Sequence, residues 1–222
     1  MEKTRVTDKK VCPICQKRRA ERYCPAKGEK ICAIDCGTER EVSIDCPADC
    51  SYLLAAHRWE QEHPKTLAES EVPFPDVSFP AELIRTRQAA MSGIGYTVAA
   101  YAREQRSLND SEILAAAHAM AETYRTLVSG IYYEKLPDNA VAAGLYAALA
   151  KFIEEEKKHE AEHPELPPLK DSEIFHMLVF FERFGRLRSN GRPRTRAFLE
   201  FLRAQFPPEM GLAKEEPRIV IP

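Results

Sequence analysis

All seven cysteines of this chain lie between Cys12 and Cys50, and the rest of the 222 residues contain none. Most of these cysteines stand two or three residues from a neighbour, in the order Cys12-x2-Cys15, Cys24, Cys32-x3-Cys36 and Cys46-x3-Cys50. Two cysteines at such a spacing can both bind one tetrahedral zinc ion, at about 2.3 Å from sulfur to metal. The spacing therefore predicts a zinc-binding module over residues 1–63.

Two other roles for the cysteines are less consistent with the sequence. A disulfide framework is disfavoured by the odd number of cysteines and by the first ten residues, MEKTRVTDKK, which lack the apolar stretch of a secretion signal. An iron–sulfur cluster is disfavoured because its cysteines usually form a tighter run. No run of about 20 apolar residues predicts a membrane span, so we expect a cytoplasmic protein with reduced thiols.

The order of the cysteines resembles that of the HIT and MYND zinc fingers, in which interleaved ligand pairs bind two zinc ions. The likeness covers about residues 12–57 and implies a treble or cross-brace fold. It implies a first zinc site formed by Cys12, Cys15, Cys32 and Cys36. Four thiolates leave no position open for water or substrate, so such a site would be structural. The resemblance further implies a module that binds proteins.

A second site is implied by the same resemblance but lacks one ligand. Cys24, Cys46 and Cys50 match the family order, whereas Lys27 stands where a further cysteine is expected. His57 is the nearest candidate for the fourth ligand. If the segment is helical, however, His57 lies about 10.5 Å along the helix axis from Cys50, which is long for two ligands of one ion. The sequence therefore predicts one zinc ion and leaves the second open.

The residues after the cysteines predict a helical domain. Residues 64–80 contain four prolines, which predict an extended linker packed by Phe74 and Phe79. From residue 81 to 206, apolar residues recur at intervals of three and four and predict five amphipathic helices. We therefore expect a mainly α protein, in which the zinc module precedes an antiparallel bundle of about five helices.

The ends of these helices are marked by capping residues and prolines. The first helix extends to about residue 106, and Asn109, with Glu112 three residues later, is a predicted cap of the second. Pro164 ends the third helix, which begins near Val141, and Asp171 caps the fourth. Asn190 and Gly191 end the fourth helix, and Pro193 begins the fifth. Residues 207–222 predict an extended tail whose Ile219–Ile221 segment docks on this chain or adds a strand to a partner.

Two short motifs match patterns of metalloenzymes. The segment from His159 to His163 has the form HExxH, in which two histidines bind zinc and the glutamate acts as base. The pairs Glu160-x-x-His163 and Glu173-x-x-His176 have the ExxH form of di-iron bundles. The first motif lies in a highly charged run that ends at Pro164, and a buried catalytic site needs apolar surroundings. A metal-dependent enzyme is therefore the third-ranked hypothesis.

A basic segment, residues 183–196, contains six arginines and no acidic residue. Arginine pairs bidentately with phosphate, so the segment is a candidate for binding RNA or DNA. Its arginines are Arg183, Arg186, Arg188, Arg192, Arg194 and Arg196. Basic residues of the cysteine-rich module could extend this surface, namely Lys17, Arg18, Arg19 and Arg22. The alternative is that these side chains pair with the acidic run 154–173 or lie along the surface of the bundle.

These patterns rank three functions. The first is a non-catalytic zinc-binding adaptor that binds a protein partner, and the second is a nucleic-acid-binding protein. The net charge of −2 creates no overall field that attracts nucleic acid or an acidic membrane, and we expect no membrane partner. The common nucleotide-binding and hydrolase motifs are absent from the sequence, so we do not expect an enzyme.

Overall fold

The computed structural model describes residues 11–208 and divides the chain into two compact units. Unit 1 comprises the described residues up to Pro64 together with Arg192–Thr195. Unit 2 comprises Lys65–Gly191 and the described residues from Arg196 onward. The prediction of a mainly α protein is confirmed, since the described residues form eight α-helices and a single two-stranded sheet. No helix in this part of the chain is long and apolar enough to cross a membrane.

Unit 1 consists of one hairpin and two helices. Strands β1 (Arg22–Cys24) and β2 (Glu29–Ile31) pair in antiparallel fashion, followed by helices α1 (Ala33–Glu39) and α2 (Ser51–Glu62). Its buried centre is small and contains more cysteine than aliphatic residues, namely Cys12, Cys24, Ile31, Cys32 and Ile44. Burial of such a small apolar core contributes only a few kilocalories per mole to folding. A metal ion could therefore supply a large part of the stability of unit 1.

Unit 2 contains six helices that share one hydrophobic core. These are α3 (Ala81–Thr86), α4 (Gln88–Glu104), α5 (Asp110–Val128), α6 (Ala140–Glu162), α7 (Asp171–Arg188) and α8 (Ala197–Gln205). Helix α5 packs against α6 and α7, while α4 packs against α6 and α8. The fully buried side chains at the centre include Ile94, Ile113, Met120, Leu145, Leu149, Ile174, Leu178 and Phe198.

One predicted cap and one predicted helix end are confirmed, whereas α7 is capped by Lys170 and not by Asp171, which is its first residue. The Asn109 side chain accepts the N–H groups of Ser111 and Glu112, and the Glu112 carboxylate accepts the Asn109 N–H at 2.8 Å. This is the predicted capping box, which satisfies N–H groups that have no partner within the helix. Helix α6 ends at Glu162, before Pro164, as the prolines predicted.

Two helix boundaries differ from the prediction. The predicted first helix is divided into α3 and α4 at Arg87, whose backbone leaves the helical region with φ −122° and ψ 26°. The last helix begins at Ala197 rather than at Pro193. Its start is fixed by the buried Asp110, whose carboxylate accepts the N–H groups of Phe198 at 3.0 Å and Leu199 at 3.1 Å. A partner 88 residues away along the chain cannot be recognised from local spacing.

The proline-rich segment packs as part of unit 2. Phe74 is 5% exposed and belongs to the helical core, with its ring 5.6 Å from that of Phe175. The guanidinium of Arg183 donates to the carbonyl oxygens of Pro73 at 3.0 Å and Val77 at 2.8 Å, and also to that of Phe74. Residues 73–77 are thus held against α7. Of the predicted tail, Ile219–Ile221 lie outside the described residues.

Candidate metal centre

The first two cysteines lie in a tight turn. The Cys12 N–H donates to the Arg18 carbonyl at 2.7 Å, and the Gln16 N–H donates to the Cys12 carbonyl at 2.8 Å. Gln16 adopts a positive φ of 53°, a conformation that few residues other than glycine adopt, and this closes the turn. The turn directs both sulfur atoms to the same side of the chain, where the next elements bring further ligands.

The hairpin and helix α1 supply the other side of the site. Cys32 directly follows β2 and is the N-cap of α1, and its sulfur accepts the N–H of Asp35 at 3.3 Å. Asp35 lies in the first turn of α1 and is 7% exposed. Because a side chain in the first turn of a helix can reach back to the cap, the Asp35 carboxylate lies beside the Cys32 sulfur.

Three sulfurs and one carboxylate oxygen meet at this point. The ligand atoms of Cys12, Cys15, Cys32 and Asp35 all lie within 4.8 Å of one another. The Cys12 sulfur is 3.0 Å from Asp35 Oδ2, and the Cys15 and Cys32 sulfurs are 4.0 Å apart. Cys12 is fully buried and Cys32 is 2% exposed. These four side chains are positioned to bind a metal ion.

The donor set fits a four-coordinate zinc ion. Tetrahedral ligands with metal–sulfur bonds of about 2.3 Å are separated by about 3.8 Å, close to the spacing of the Cys15 and Cys32 sulfurs. The Cys12 thiol donates a hydrogen bond to Asp35, and a metal ion binding here would replace the thiol proton. The Cys12 sulfur also accepts the Cys32 N–H at 3.2 Å, which helps to fix its position. Three thiolates and one carboxylate are ligands that zinc accepts.

The groups of the site perturb one another's ionisation. Hydrogen bonds from Cys12, then Cys15 and Cys32, lower the pKa of Asp35 to about 2, so this carboxylate is charged at neutral pH. Burial is the largest cause of the raised pKa of Cys32. The guanidinium of Arg18, at 3.5 Å from Asp35 Oδ1, adds a positive charge at the edge of the cluster. The site therefore combines one charged carboxylate with three thiols, and a divalent cation bound here would hold those thiols as thiolates.

The structure places Asp35 beside the three cysteines, whereas the sequence predicts Cys36 as the fourth ligand. Among the described residues, the one group of three or more metal-binding side chains with such close ligand atoms contains Asp35 and not Cys36. Cys36 is partly buried against the same small core. The available signal was spacing, because Asp35 follows Cys32 by the same three positions that separate Cys15 from Cys12.

The residues predicted for a second site have well-defined positions but are not part of that group. Cys24 ends β1, and Lys27 lies in the hairpin turn, donating its N–H to the Cys24 carbonyl. Cys50 precedes α2 and is buried, as is Cys24. His57, on α2, places Nε2 at 3.0 Å from Oε1 of the buried Glu41. A second zinc at Cys24, Cys46 and Cys50 stays a prediction.

The first arginines of the basic segment have partners within unit 2. Arg183 donates to the carbonyl oxygens of residues 73–77. Arg186 donates through Nε and Nη2 to the fully buried Glu182, at 3.1 and 2.8 Å. The Arg188 guanidinium lies 4.4 Å from the ring centre of Phe201. These contacts are consistent with the alternative in which the arginine side chains lie along the surface of the bundle.

The later arginines of the segment are divided between the two units. Within unit 1, Arg192 donates to the carbonyl oxygens of Gly37 and Arg40, and the Arg194 N–H donates to that of Glu41. This is why residues 192–195 cluster with unit 1, although the sequence placed them in the helical domain 81–206. Within unit 2, Arg196 donates to the Leu108 carbonyl at 3.3 Å. The side chain of Arg194 is exposed.

The basic residues of unit 1 differ in exposure. Lys17 and Arg19 are exposed in the turn that follows Cys15. Arg18 pairs with Asp35, and the Arg22 guanidinium lies 4.7 Å from the ring centre of Tyr52. Arg18 and Arg22, two of the four predicted phosphate-binding residues, therefore have partners within unit 1.

The glutamates of the metalloenzyme motifs both bind one arginine. The guanidinium of the buried Arg87 donates to Glu160 Oε1 and Glu173 Oε2, both at 2.8 Å. It also donates to the carbonyl oxygens of the Pro167–Pro168 turn, each at 3.0 Å. His159 is exposed at the end of α6. The two glutamates therefore have a structural partner, and the described residues place neither of them in a close group of metal-binding side chains.

The candidate metal centre is inferred from the geometry of this chain alone, because no similar protein provides a site to compare it with. The likeness to HIT and MYND fingers depends on the cysteine order and stays an expectation. The chain matches no family model, no curated protein and no solved structure.

Proposed function

We propose that this protein is a non-catalytic zinc-binding adaptor, in which one zinc ion stabilises unit 1 as a platform for a protein partner. The single observation that supports it most is the convergence of Cys12, Cys15, Cys32 and Asp35 within 4.8 Å. Four protein ligands complete a tetrahedral shell, whereas a catalytic zinc keeps one position for water or substrate. The metal would therefore stabilise structure and activate no substrate.

The small core of unit 1 supports a stabilising role for the metal. The cluster at its centre holds two aliphatic residues, Ile31 and Ile44, beside three cysteines. Ala20 and Leu53 are the other buried aliphatic residues of the unit. Ligands gathered from a turn, the end of a strand and a helix would be cross-linked by one ion. Since such a site is not assembled in an unfolded chain, the free energy of metal binding becomes free energy of folding.

The exposed apolar residues of unit 1 support a role in binding a protein. Five large side chains among its described residues are at least half exposed, although apolar side chains of this size are usually buried. They are Val11 (56%), Tyr23 (55%), Ile34 (52%), Leu54 (50%) and Trp59 (59%). Aromatic residues of this kind are enriched at protein interfaces. A rigid platform that presents them would lose little conformational entropy on binding.

The metal can be tested with a reporter that the chain already contains. Trp59 is the single tryptophan and lies on α2 of unit 1, stacked 4.4 Å from His63. The purified protein should contain at least one zinc per chain by elemental analysis, and a chelator should change Trp59 fluorescence. The far-UV circular dichroism should fall little, since the long helices belong to unit 2. Cys12→Ser should reproduce the chelated state; a protein that binds no zinc, or loses it without a change in Trp59, would refute the proposal.

The partner can be tested with a pair of matched substitutions. Leu54→Asp introduces a charge on an exposed apolar position of unit 1, and Leu187→Asp does so on an equally exposed position of unit 2. A protein captured from native cells should be lost with Leu54→Asp and after chelation, and retained with Leu187→Asp. Capture that instead requires intact RNA or DNA, and falls steeply with salt, would support the nucleic-acid hypothesis over this one.

A further inference from the structure

We propose that unit 2 contains a second binding site, in which a small uncharged aromatic molecule binds in a cavity between α3, α4, α7 and α8. The cavity has a volume of about 370 Å³ and is lined entirely by residues of unit 2. This size lies within the range of ligand pockets, about 300–1,000 Å³. The site is independent of the metal centre and of the adaptor role.

The walls of the cavity are mainly aromatic and sulfur-containing. The side chains that form them include Met91, Met177, Phe180, Phe184, Phe201 and Phe206. Four phenylalanine rings here are only partly buried, although unit 2 has a well-filled core elsewhere. Aromatic rings pack edge-to-face or offset-stacked on other rings, and methionine adapts to them, so the walls favour a flat aromatic ligand.

Contacts among the lining rings and with Arg188 hold these rings in place. The Phe180 and Phe184 rings are nearly parallel, with an interplanar angle of 4°. Phe184 packs edge-on against Phe201 with 5.3 Å between ring centres. The Arg188 guanidinium lies over both Phe184 and Phe201, at 5.2 and 4.4 Å. A cavity with walls held in this way needs little rearrangement when a ligand enters.

The floor of the cavity is formed where the backbone of α4 approaches the end of α8. A Cβ atom on Gly95 would lie 2.7 Å from the Phe206 ring, closer than side-chain carbons come. Glycine at this position therefore lets the Phe206 ring lie close to the backbone of α4 as one wall.

The polar groups of the lining indicate the charge of the ligand. No aspartate, glutamate, lysine or arginine lines the cavity. Three neutral side chains, Gln88, Ser92 and Gln205, lie at its exposed mouth. A charged ligand would lose its hydration without gaining a counter-ion, which disfavours its binding. A neutral ligand with one hydrogen-bonding group could form a hydrogen bond with a polar side chain at the mouth, while its rings fill the aromatic interior.

The test uses N-phenyl-1-naphthylamine, an uncharged aromatic amine whose fluorescence rises in apolar surroundings. Titration into the full-length protein should give saturable one-to-one binding. The related dye 8-anilino-1-naphthalenesulfonate has the same rings and an added sulfonate, and should bind at least tenfold more weakly. No saturable signal with the neutral dye, or equal binding of both dyes, would refute the proposed ligand class.

A pair of variants locates the binding site. Ser92→Phe places a ring at the mouth and should weaken binding of the neutral dye at least tenfold. Ala89→Phe introduces the same ring at an exposed position of the same helix that does not line the cavity, and should leave binding within twofold. Both variants should keep the circular dichroism of the parent. Unchanged binding in a folded Ser92→Phe protein, or equal loss in both, would overturn the assignment to this cavity.

Discussion

Asp35 and Cys36 are adjacent residues that give opposite predictions for zinc binding. The free energy of zinc binding to structural sites is about 10–16 kcal/mol in zinc-finger peptides, so each of four ligands contributes about 3 kcal/mol on average. Since about 1.4 kcal/mol corresponds to a tenfold change in affinity, the loss of one ligand weakens binding about 100-fold. We therefore expect Asp35→Ala to lower zinc affinity by roughly that factor, because its carboxylate lies within 4.8 Å of all three sulfurs. Cys36→Ser should change the affinity less than threefold.

The assay is competition against a chromophoric chelator at fixed pH, with metal content confirmed by elemental analysis. Cys15→Ala is the matched loss of a predicted thiolate ligand and should resemble Asp35→Ala. Asp35→Cys supplies a thiolate at the same position and should retain tight binding, which separates loss of a ligand from loss of a helix-terminal charge. If Cys36→Ser abolishes zinc binding while Asp35→Ala does not, the ligand set inferred from the geometry is wrong and the set implied by the cysteine order is right.

Two further predictions concern unit 2. Asp110→Ala removes the acceptor of two backbone N–H groups, those of Phe198 and Leu199. At about 1.5–3 kcal/mol for each charge-assisted bond, it should lower the free energy of unfolding by about 3–6 kcal/mol, measured by urea unfolding; a loss below 1 kcal/mol would contradict this role. For Glu173, burial opposes ionisation, but the Lys170 N–H and the Arg87 guanidinium together outweigh it and lower the pKa. Its contribution to stability is therefore present at neutral pH and is lost as the pH falls below the ordinary glutamate value of 4.5 and through the lowered pKa. Glu173→Gln should be less stable at neutral pH and lose less stability on acidification, and an unchanged acid dependence of the melting temperature would argue against it.

The helices of unit 2 could be predicted because their signals are local. The Asn109 capping box and the prolines after Glu162 act within a few residues, and the sequence shows them directly. The break at Arg87 could not be predicted in the same way. Its guanidinium binds Glu160 and Glu173, which are 73 and 86 residues away, and hydrophobic periodicity contains no information about such pairs.

The metal centre was predictable only in part. The spacing of Cys12 and Cys15, with Cys32 further along the chain, predicts ligands because two cysteines so close in sequence can both bind one tetrahedral zinc ion. The spacing of Asp35 after Cys32 is a weaker signal than a pair of cysteines, since an acidic residue in the first turn of a helix is ordinary. Its role depends on how the turn and helix α1 meet, which the order of residues does not reveal. For the arginines of residues 183–196, phosphate binding stays a prediction, although most of these side chains contact carbonyl groups, a carboxylate or rings among the described residues.

The position of Phe74 in the helical core determines where a recombinant fragment of unit 2 should begin. A recombinant fragment that starts at Ala81, where the helices begin, would lack that ring and would leave the Arg183 guanidinium facing an empty groove. A fragment that starts at Lys65 keeps both, and includes every described residue of unit 2. The proline-rich segment from Lys65 onward therefore belongs to unit 2 and should be kept in any fragment of it.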